Sequence, residues 1–396
     1  MTTSEIKEVA SKYIINTYGD RSLAFIKGEG PYLWDADGKK YLDFLGGLAV
    51  NGLGHAHPKV VAAISAQAGE VIHTSNLYYI KPQAELARLL IENSDMDQCF
   101  FCNSGAEANE AAIKIARKYA KDTGRKDSYE IITMDNSFHG RTMATITATA
   151  QPKYHVGFEP MLEGFKYVPF DDLDATEAAI SEKTCAILVE PIQSEGGVNI
   201  PSDGYLQGLR ELCDQHNLLL IFDEVQTAMG RLGTFFGYQS YGVVPDVITM
   251  AKALGSGVPI GAMLAKQNVA DSFVPGTHAA TFGGNFLSSA AAVATIETIL
   301  EENLAINAVK MGNYLASGLM ELKGKYPINE VRGKGLLRGL VMDVDAKPLA
   351  TKCIENGLVT ICTSDYVLRF LPPLNINAAH VEEAVDIVEK SMSEVY

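Results

Sequence analysis

Leu218-Leu-Leu-Ile-Phe-Asp-Glu-Val-Gln226 and, further along, Val247-Ile-Thr-Met-Ala-Lys-Ala-Leu-Gly-Ser-Gly257 decide the fold. Each opens as an apolar run and closes on an unexpected charge, Asp223 in the first and Lys252 in the second. Apolar runs without alternation suit strands covered on both faces. Cys99–Cys102, Glu130–Met134, Ala186–Val189 and Ile260–Ala265 read the same way. Helix-prone stretches separate these runs from about Val60 to Lys266. Strands alternating with helices predict a mostly parallel sheet in an α/β protein. Ligands of such sheets bind beyond the carboxyl ends of the strands, so the polar residues closing the runs are the candidate site.

On either side of this region the pattern changes. Pro31-Tyr-Leu-Trp34 and Lys40-Tyr-Leu-Asp-Phe44 are β-prone, and Asp35-Ala-Asp-Gly38 between them is hairpin turn chemistry. From Phe286 an Ala-rich helical segment leads into shorter strands at Val331–Val344 and Val367–Phe370. The chain of 396 residues exceeds one core of ~150 residues. The expected division is a large domain over 60–285 and a smaller, discontinuous α/β domain built from 1–59 and 286–396.

Composition narrows the function. Hydrophobic residues are 47% and charged residues 20%, which is globular and argues against disorder. Lys+Arg 33 against Asp+Glu 48 leaves a net charge of -15, which repels nucleic acid. No apolar run approaches the ~20 residues that span a bilayer. Met1 to Asp20 lacks the apolar centre of a signal peptide, so a cytoplasmic protein is expected. Six cysteines are too few for a disulfide scaffold, and Cys99-Phe-Phe-Cys102 lies in a strand-like run, which favours buried structural thiols over a redox pair.

Four strand ends carry chemistry. Asn103-Ser-Gly-Ala-Glu-Ala-Asn109 precedes a helix whose Ala108, Ala111, Ala112, Ile115, Ala116 and Tyr119 share a face. Ser104 is a good N-cap there. Gly105 admits close approach of a ligand, and free N–H groups of Ser104, Gly105 and Ala106 form an anion cradle, though not a Walker A loop. Ser137-Phe-His-Gly-Arg141 offers Phe138 to stack on a flat ring and Arg141 to bind a carboxylate, or else is an ordinary loop. Asp223 at a buried strand end requires a partner, and a protonated ring nitrogen is one. No His or Cys cluster nearby suggests a metal. Lys252 after a buried strand is desolvated, which favours the neutral amine that forms imines. Thr249, three positions before Lys252, forms an S-x-x-K-like pair with it, but no S-D-N or K-T-G follows. An anion cradle, a stacking aromatic, a buried carboxylate and an imine-forming lysine together are what pyridoxal 5'-phosphate needs.

The sequence resembles the class III (ornithine/acetylornithine-type) aminotransferases of PLP fold type I. The resemblance runs from Gly28-Glu-Gly-Pro-Tyr-Leu-Trp-Asp35 to Leu368-Arg-Phe-Leu-Pro-Pro373. It rests on Gly54-His-Ala-His-Pro58, Asn103-Ser-Gly-Ala-Glu-Ala-Asn109, Phe138-His-Gly-Arg141, Val189-Glu-Pro-Ile-Gln193, Asp223-Glu-Val-Gln226, Lys252 and Thr281-Phe-Gly-Gly-Asn285. It implies a seven-stranded, mostly parallel sheet in the large domain. It implies a homodimer with shared sites, in which Thr281 reaches the phosphate of the neighbouring subunit's cofactor. Lys252 is the implied cofactor anchor and general base. Gln226 bonds the ring hydroxyl oxygen, and Glu224 and Val225 join the cofactor-binding set. Arg141 holds the carboxylate of an acylated donor, and Arg369 the α-carboxylate of glutamate or 2-oxoglutarate. Glu195 pairs with Arg369 when the ω-amino donor is bound. His55 and His57 form a structural turn, not a metal site.

The implied activity moves the ω-amino group of N2-acetyl-L-ornithine to 2-oxoglutarate, in arginine biosynthesis. Three positions depart from the family pattern. Leu48 stands where ornithine enzymes carry Tyr. Ala280 stands in the substrate-binding set where acetylornithine enzymes usually have Ser, weakening a hydrogen bond to the donor. Ser194 stands where Gly is common. Succinylornithine, succinyldiaminopimelate, ornithine and 4-aminobutyrate are the alternative donors. A PLP aminomutase and a non-catalytic homologue are the other classes weighed, and intact Lys252, Asp223 and Arg369 argue against the latter.

Overall fold

The computed structural model describes residues 1–396. Seven strands form the central sheet, in the spatial order Gln98–Cys102, Gly261–Ala265, Val247–Met250, Leu219–Asp223, Thr184–Val189, Glu130–Met134, Phe165–Val168. Gly261–Ala265 runs antiparallel to both of its neighbours. The remaining pairings are parallel. All six apolar runs quoted above are strands of this sheet. The seventh strand, Phe165–Val168, is short, carries Lys166 and an exposed Tyr167, and lies at the sheet edge, so it lacks the apolar signature.

The unbroken runs reflect cover on both faces. Ile187, Val189, Leu220, Phe222, Ile248 and Met250 face one core. Ala186, Leu188, Leu219, Ile221 and Val247 face another. Each Val, Leu, Ile, Phe or Met among them contributes about 1.5–3 kcal/mol by leaving water. The second core is closed by the helix Gly105–Asp122, whose Ala108, Ala111, Ala112, Ile115 and Ala116 are buried. Small side chains at these positions bring the helix close to the sheet, which fixes where its N-terminus sits.

Residues from both ends of the chain share a second sheet. Tyr32–Asp35 and Lys40–Asp43 form the expected hairpin, with Gly38 at φ 89° in its turn. Phe25–Glu29 joins one side and Leu358–Val359 pairs in parallel with Lys40–Asp43. A third sheet has the order Ile328–Lys334, Leu337–Met342, Val367–Phe370, Ile361–Thr363. The run Val331–Val344 is therefore two antiparallel strands, not one. Gly335 makes the reversal at φ 56°, where an added Cβ would meet the Arg231 carbonyl oxygen. The helix Phe286–Glu301 starts at Asn285, whose side chain accepts from the Ser288 N–H at 3.1 Å. One core runs on from Leu42 through Phe222 and Ile296 to Leu368 and Val388.

The six cysteines are free. Burial pushes the Cys99 and Cys102 thiols up to about 12, which keeps both as unreactive thiols. No helix is long and apolar enough to cross a membrane.

Candidate active site

The parallel strands Glu130–Met134, Thr184–Val189, Leu219–Asp223 and Val247–Met250 end on one rim, and Gln98–Cys102 ends beside them across the reversed strand. Beyond that rim lies a cavity of about 450 Å³. Ser104, Gly105, Ala106, Phe138, Arg141, Asp223, Val225, Gln226 and Lys252 all line it. Segments far apart in sequence thus converge at the position where a parallel sheet offers a ligand site.

One wall is the start of the helix Gly105–Asp122. Ser104 caps it: the Glu107 N–H donates to Ser104 Oγ at 3.2 Å, and that hydroxyl donates to Glu107 Oε2 at 3.1 Å. The N–H groups of Gly105 and Ala106 lie in the first turn and have no intrahelical acceptor, so they serve an anion at the positive end of the helix dipole. A Cβ added to Gly105 would lie 2.9 Å from Val225 Cγ2. The glycine is needed here for space.

Asp223 is buried at its strand end and fully engaged on its protein side. Oδ1 accepts from the Val225 N–H at 3.0 Å. Oδ2 accepts from Asn109 Nδ2 at 2.8 Å and lies 2.8 Å from His139 Nδ1. Thr249 Oγ1 donates to Asn109 Oδ1 at 2.6 Å, and Asn109 also donates to the His139 carbonyl at 2.8 Å. This network satisfies a buried carboxylate and fixes its direction. It also engages the Thr249 hydroxyl in holding Asn109, and Thr249 is not a nucleophile paired with Lys252. Nearby Glu190 accepts the Phe138 N–H at 2.7 Å. Burial, then the neighbouring Asp223 charge, raises its pKa well above the carboxylate range.

Lys252 follows Val247–Met250 and sits at φ 46°. That left-handed backbone is costly for a side-chain-bearing residue and aims the chain abruptly out of the strand line. Burial lowers the amine to about 8, with Arg369 adding to the shift and Glu195, Asp223 and Glu190 opposing it.

Arg369 lies in the strand Val367–Phe370 of the third sheet and is fully buried. Its Nη1 is 3.0 Å from Glu195 Oε1 and donates to Ser194 Oγ at 3.0 Å. Nε and Nη2 have no partner. Gln226 Nε2 donates to the same Glu195 oxygen at 2.8 Å. Burial opposes the Glu195 charge, but Arg369 and Lys252 outweigh it and hold the carboxyl below its ordinary range. Arg141 lies exposed at the cavity, its guanidinium 4.0 Å from the Tyr154 ring centroid and 5.4 Å from that of Phe138.

Residues 14–392 match the family described as Aminotransferase class-III. The chain belongs to the class-III aminotransferases. This aminotransferase is 48% identical over 389 residues to the acetylornithine aminotransferase of Methanocaldococcus jannaschii, with 98% of each chain covered. It is 49% identical to that of Clostridium acetobutylicum, covering 97% of this chain and 100% of the other. Among solved structures, the ornithine aminotransferase of Toxoplasma gondii superposes with a TM-score of 0.95 at 36% identity, covering 100% of this chain and 95% of that one. The N-acetylornithine aminotransferase of Stenotrophomonas maltophilia gives 0.85 at 37% identity, with 98% of both chains covered.

As a member of this family the aminotransferase depends on pyridoxal phosphate, and the donor set fits that group. The glycine-opened helix end suits the phosphate, buried Asp223 suits a protonated ring nitrogen, and a lysine lowered to about 8 suits the aldehyde. Five residues expected in the site do not line the cavity: Arg369 and Glu195 stand next to it, joined through the bond of Glu195 to Gln226, and three others lie apart from it. The Glu224 side chain turns away from it to accept the Gly237 and Tyr238 N–H groups at 2.5 and 2.7 Å, and burial pushes it up to about 7. Glu224 is thereby an anchor for the loop behind Asp223, and its side chain does not bind a cofactor in this cavity. Thr281 is exposed, and Ala280 lines a separate cavity beside Tyr78 and Phe100. Neither reaches the Lys252 cavity of its own chain. Asn109 and His139 lie inside the quoted motifs, but their bond to Asp223 joins distant segments and has no local signature. Tyr154 carries no sequence signal, and Glu190 and Ser194, inside and next to the quoted Val189-Glu-Pro-Ile-Gln193, gain their places beside Phe138 and Arg369 only from the fold. No group of three or more His, Cys, Asp or Glu is placed to hold a metal ion.

Proposed function

We propose that this aminotransferase moves the ω-amino group of N2-acetyl-L-ornithine to 2-oxoglutarate, giving N-acetylglutamate 5-semialdehyde and glutamate, as a cytoplasmic homodimer serving arginine biosynthesis. One observation carries the reading: a buried Arg369 with two free donors, paired on a third with the Glu195 carboxylate, stands close to Lys252 and is joined through Glu195 to Gln226 at the cavity. A transaminase needs that when one substrate has a carboxylate next to its reacting carbon and the other has none.

Pyridoxal phosphate, when bound, supplies a carbonyl that condenses with amines and a protonated ring that withdraws electrons from the bond being broken. The protein's part is binding and proton movement. The Gly105 and Ala106 N–H groups would hold the phosphate, with Ser104 capping the helix beside them. Phe138 and Val225 would hold the ring, Gln226 would bond its hydroxyl oxygen, and Asp223 would keep its nitrogen protonated. Lys252, as a neutral amine, would take the proton from the substrate carbon that bears the reacting nitrogen and deliver it across that nitrogen to the former carbonyl carbon of the cofactor. Arg141, at the open side of the cavity, takes the carboxylate of the acylated donor. Glu195 covers Arg369 while that donor reacts. It swings away when glutamate or 2-oxoglutarate arrives, and Arg369 then binds the α-carboxylate through its planar fork. The large domain of this reading is 60–285 and the small one 1–59 with 286–396, so Arg369 comes to the site from the small domain.

The acetylated donor is favoured by the curated relatives at 48–49% identity over nearly the full length. Ornithine is the second reading, favoured by the superposition at a TM-score of 0.95. A donor panel with 2-oxoglutarate, read by glutamate formation, decides between them. Acetylornithine should exceed ornithine by at least tenfold in kcat/KM, and the reverse order would overturn the donor. Turnover of acetylornithine without 2-oxoglutarate would instead indicate a mutase. Borohydride should fix the cofactor on the peptide containing Lys252 and on no other lysine.

A further inference from the structure

We infer that Ser194 is a positioning residue that keeps Arg369 in place for the dicarboxylate substrate after Glu195 has moved away. The inference rests on the reading of Arg369 as the α-carboxylate site. Ser194 is fully buried between two groups of that site. Arg369 Nη1 donates to its hydroxyl oxygen at 3.0 Å, and the hydroxyl donates to Gln226 Oε1 at 3.1 Å. These roles are forced. A guanidinium has donors only, so the single hydroxyl proton must go to the Gln226 oxygen. That in turn directs the Gln226 amide nitrogen to Glu195, where it donates at 2.8 Å.

The consequence concerns what remains when the Glu195 carboxylate leaves. Nη1 then loses its charged partner, and Arg369 already has Nε and Nη2 unpaired. Without Ser194 a buried guanidinium would have no side-chain hydrogen-bond partner and would be free to follow the departing carboxylate. With Ser194 one nitrogen stays tethered, and the two unpaired nitrogens stay presented to an incoming carboxylate. Fixing a rotamer-rich side chain before binding lowers the ordering cost of the complex. While Glu195 covers the arginine the ion pair holds Nη1 as well as the Ser194 bond does, so the larger effect of losing the tether falls on the half-reaction in which Glu195 has left.

The test uses the holoenzyme and glutarate, a dicarboxylate that cannot react. Calorimetry on the parent and on Ser194→Ala should give glutarate binding about ten- to a hundredfold weaker in the variant, the range expected for one buried hydrogen bond to a charged group. In single turnovers the glutamate half-reaction should lose at least five times more kcat/KM than the acetylornithine half-reaction, mostly as a raised KM. Ser194→Thr, which keeps the hydroxyl, should regain most of the affinity. An unchanged melting temperature and cofactor absorbance in Ser194→Ala would set folding aside as the cause. Glutarate binding within twofold of the parent, or equal losses in both half-reactions, overturns the role of Ser194. Arg369→Ala separates the two layers. If it abolishes glutarate binding while Ser194→Ala does not weaken it, only the tether falls. If it leaves glutarate binding intact, the carboxylate site lies elsewhere and both readings fall.

Discussion

At the scale of single residues, the site is a set of charges whose costs of burial are offset by one another. Lys252 is the clearest case, because burial lowers its amine to about 8 from the ordinary 10.5. The sign follows directly: the neutral amine, which attacks the aldehyde, grows as pH rises through about 8. Cofactor-free protein should therefore reload pyridoxal phosphate faster as pH rises, with a midpoint near 8, followed by visible absorbance. A midpoint near that of a free lysine would refute the desolvated site. The same shift should make the cofactor-free fold gain stability as pH climbs from about 8 towards 10.5, since the unfolded lysine binds its proton more tightly in that window. Glu195 and Arg369 differ in what each half-reaction asks of them. Arg369→Ala should cost the glutamate half-reaction about 3 kcal/mol, more than a hundredfold in kcat/KM, through loss of a charged contact. Glu195→Ala should slow the acetylornithine half-reaction tenfold or more and leave the glutamate half-reaction intact or improved. Single-turnover absorbance of each half measures both, and equal damage by Glu195→Ala would show a fixed ion pair instead of a gate.

Among the elements, the helix Gly105–Asp122 shows why part of the site can be read from sequence and part cannot. Its cap, its small-residue face and its opening glycine are local, and Asn103-Ser-Gly-Ala-Glu-Ala-Asn109 carries all three. The alternation of apolar runs and helices is also local in origin, because cover on both faces of a strand writes itself into each run. What the run does not encode is its neighbour. The order of the strands, and the antiparallel setting of Gly261–Ala265, arise from pairing across long stretches of chain. So do the bonds of Asn109 and His139 to Asp223, and the turn of Glu224 towards Gly237 instead of the cavity. The helix end yields a prediction of its own. Gly105→Ala would set a Cβ 2.9 Å from a methyl of Val225, a β-branched side chain with little rotamer freedom. Either the helix end or Val225 must give way, and the cradle widens. The substitution should weaken pyridoxal phosphate binding by tenfold or more in a fluorescence titration of the cofactor-free protein, while Gly124→Ala at the other end of the helix leaves the affinity unchanged.

For the whole molecule, the position of Thr281 is the feature that a single chain does not explain. It is exposed, and it adjoins an apolar surface made by Leu77, Tyr78, Tyr79 and Phe282, all largely open to solvent. Asn76 ties the two segments together, its side chain donating to the Ala280 and Gly283 carbonyls at 3.0 and 2.9 Å. A contiguous apolar patch on a chain of net charge -15 is the mark of a protein interface, since scattered exposed side chains need no partner but a cluster does. A twofold dimer is the simplest closure, and its symmetry gives each patch the same partner. If Thr281 serves the phosphate across that interface, each active site takes Lys252 from one chain and Thr281 from the other. This makes a definite prediction for mixtures. Lys252→Ala lacks the cofactor anchor in both of its sites. Thr281→Asp sets a carboxylate against the phosphate in both of its sites and should be inactive as well. Unfolding and refolding the two together gives hybrid dimers with one site built from two intact contributions. Random pairing makes half of the dimers hybrid with one good site in two, so about a quarter of parental activity should return. Residual activity no greater than the sum of the separate variants would mean that Thr281 acts within its own chain or not at all. Sedimentation of a fully active monomer would remove the shared site altogether.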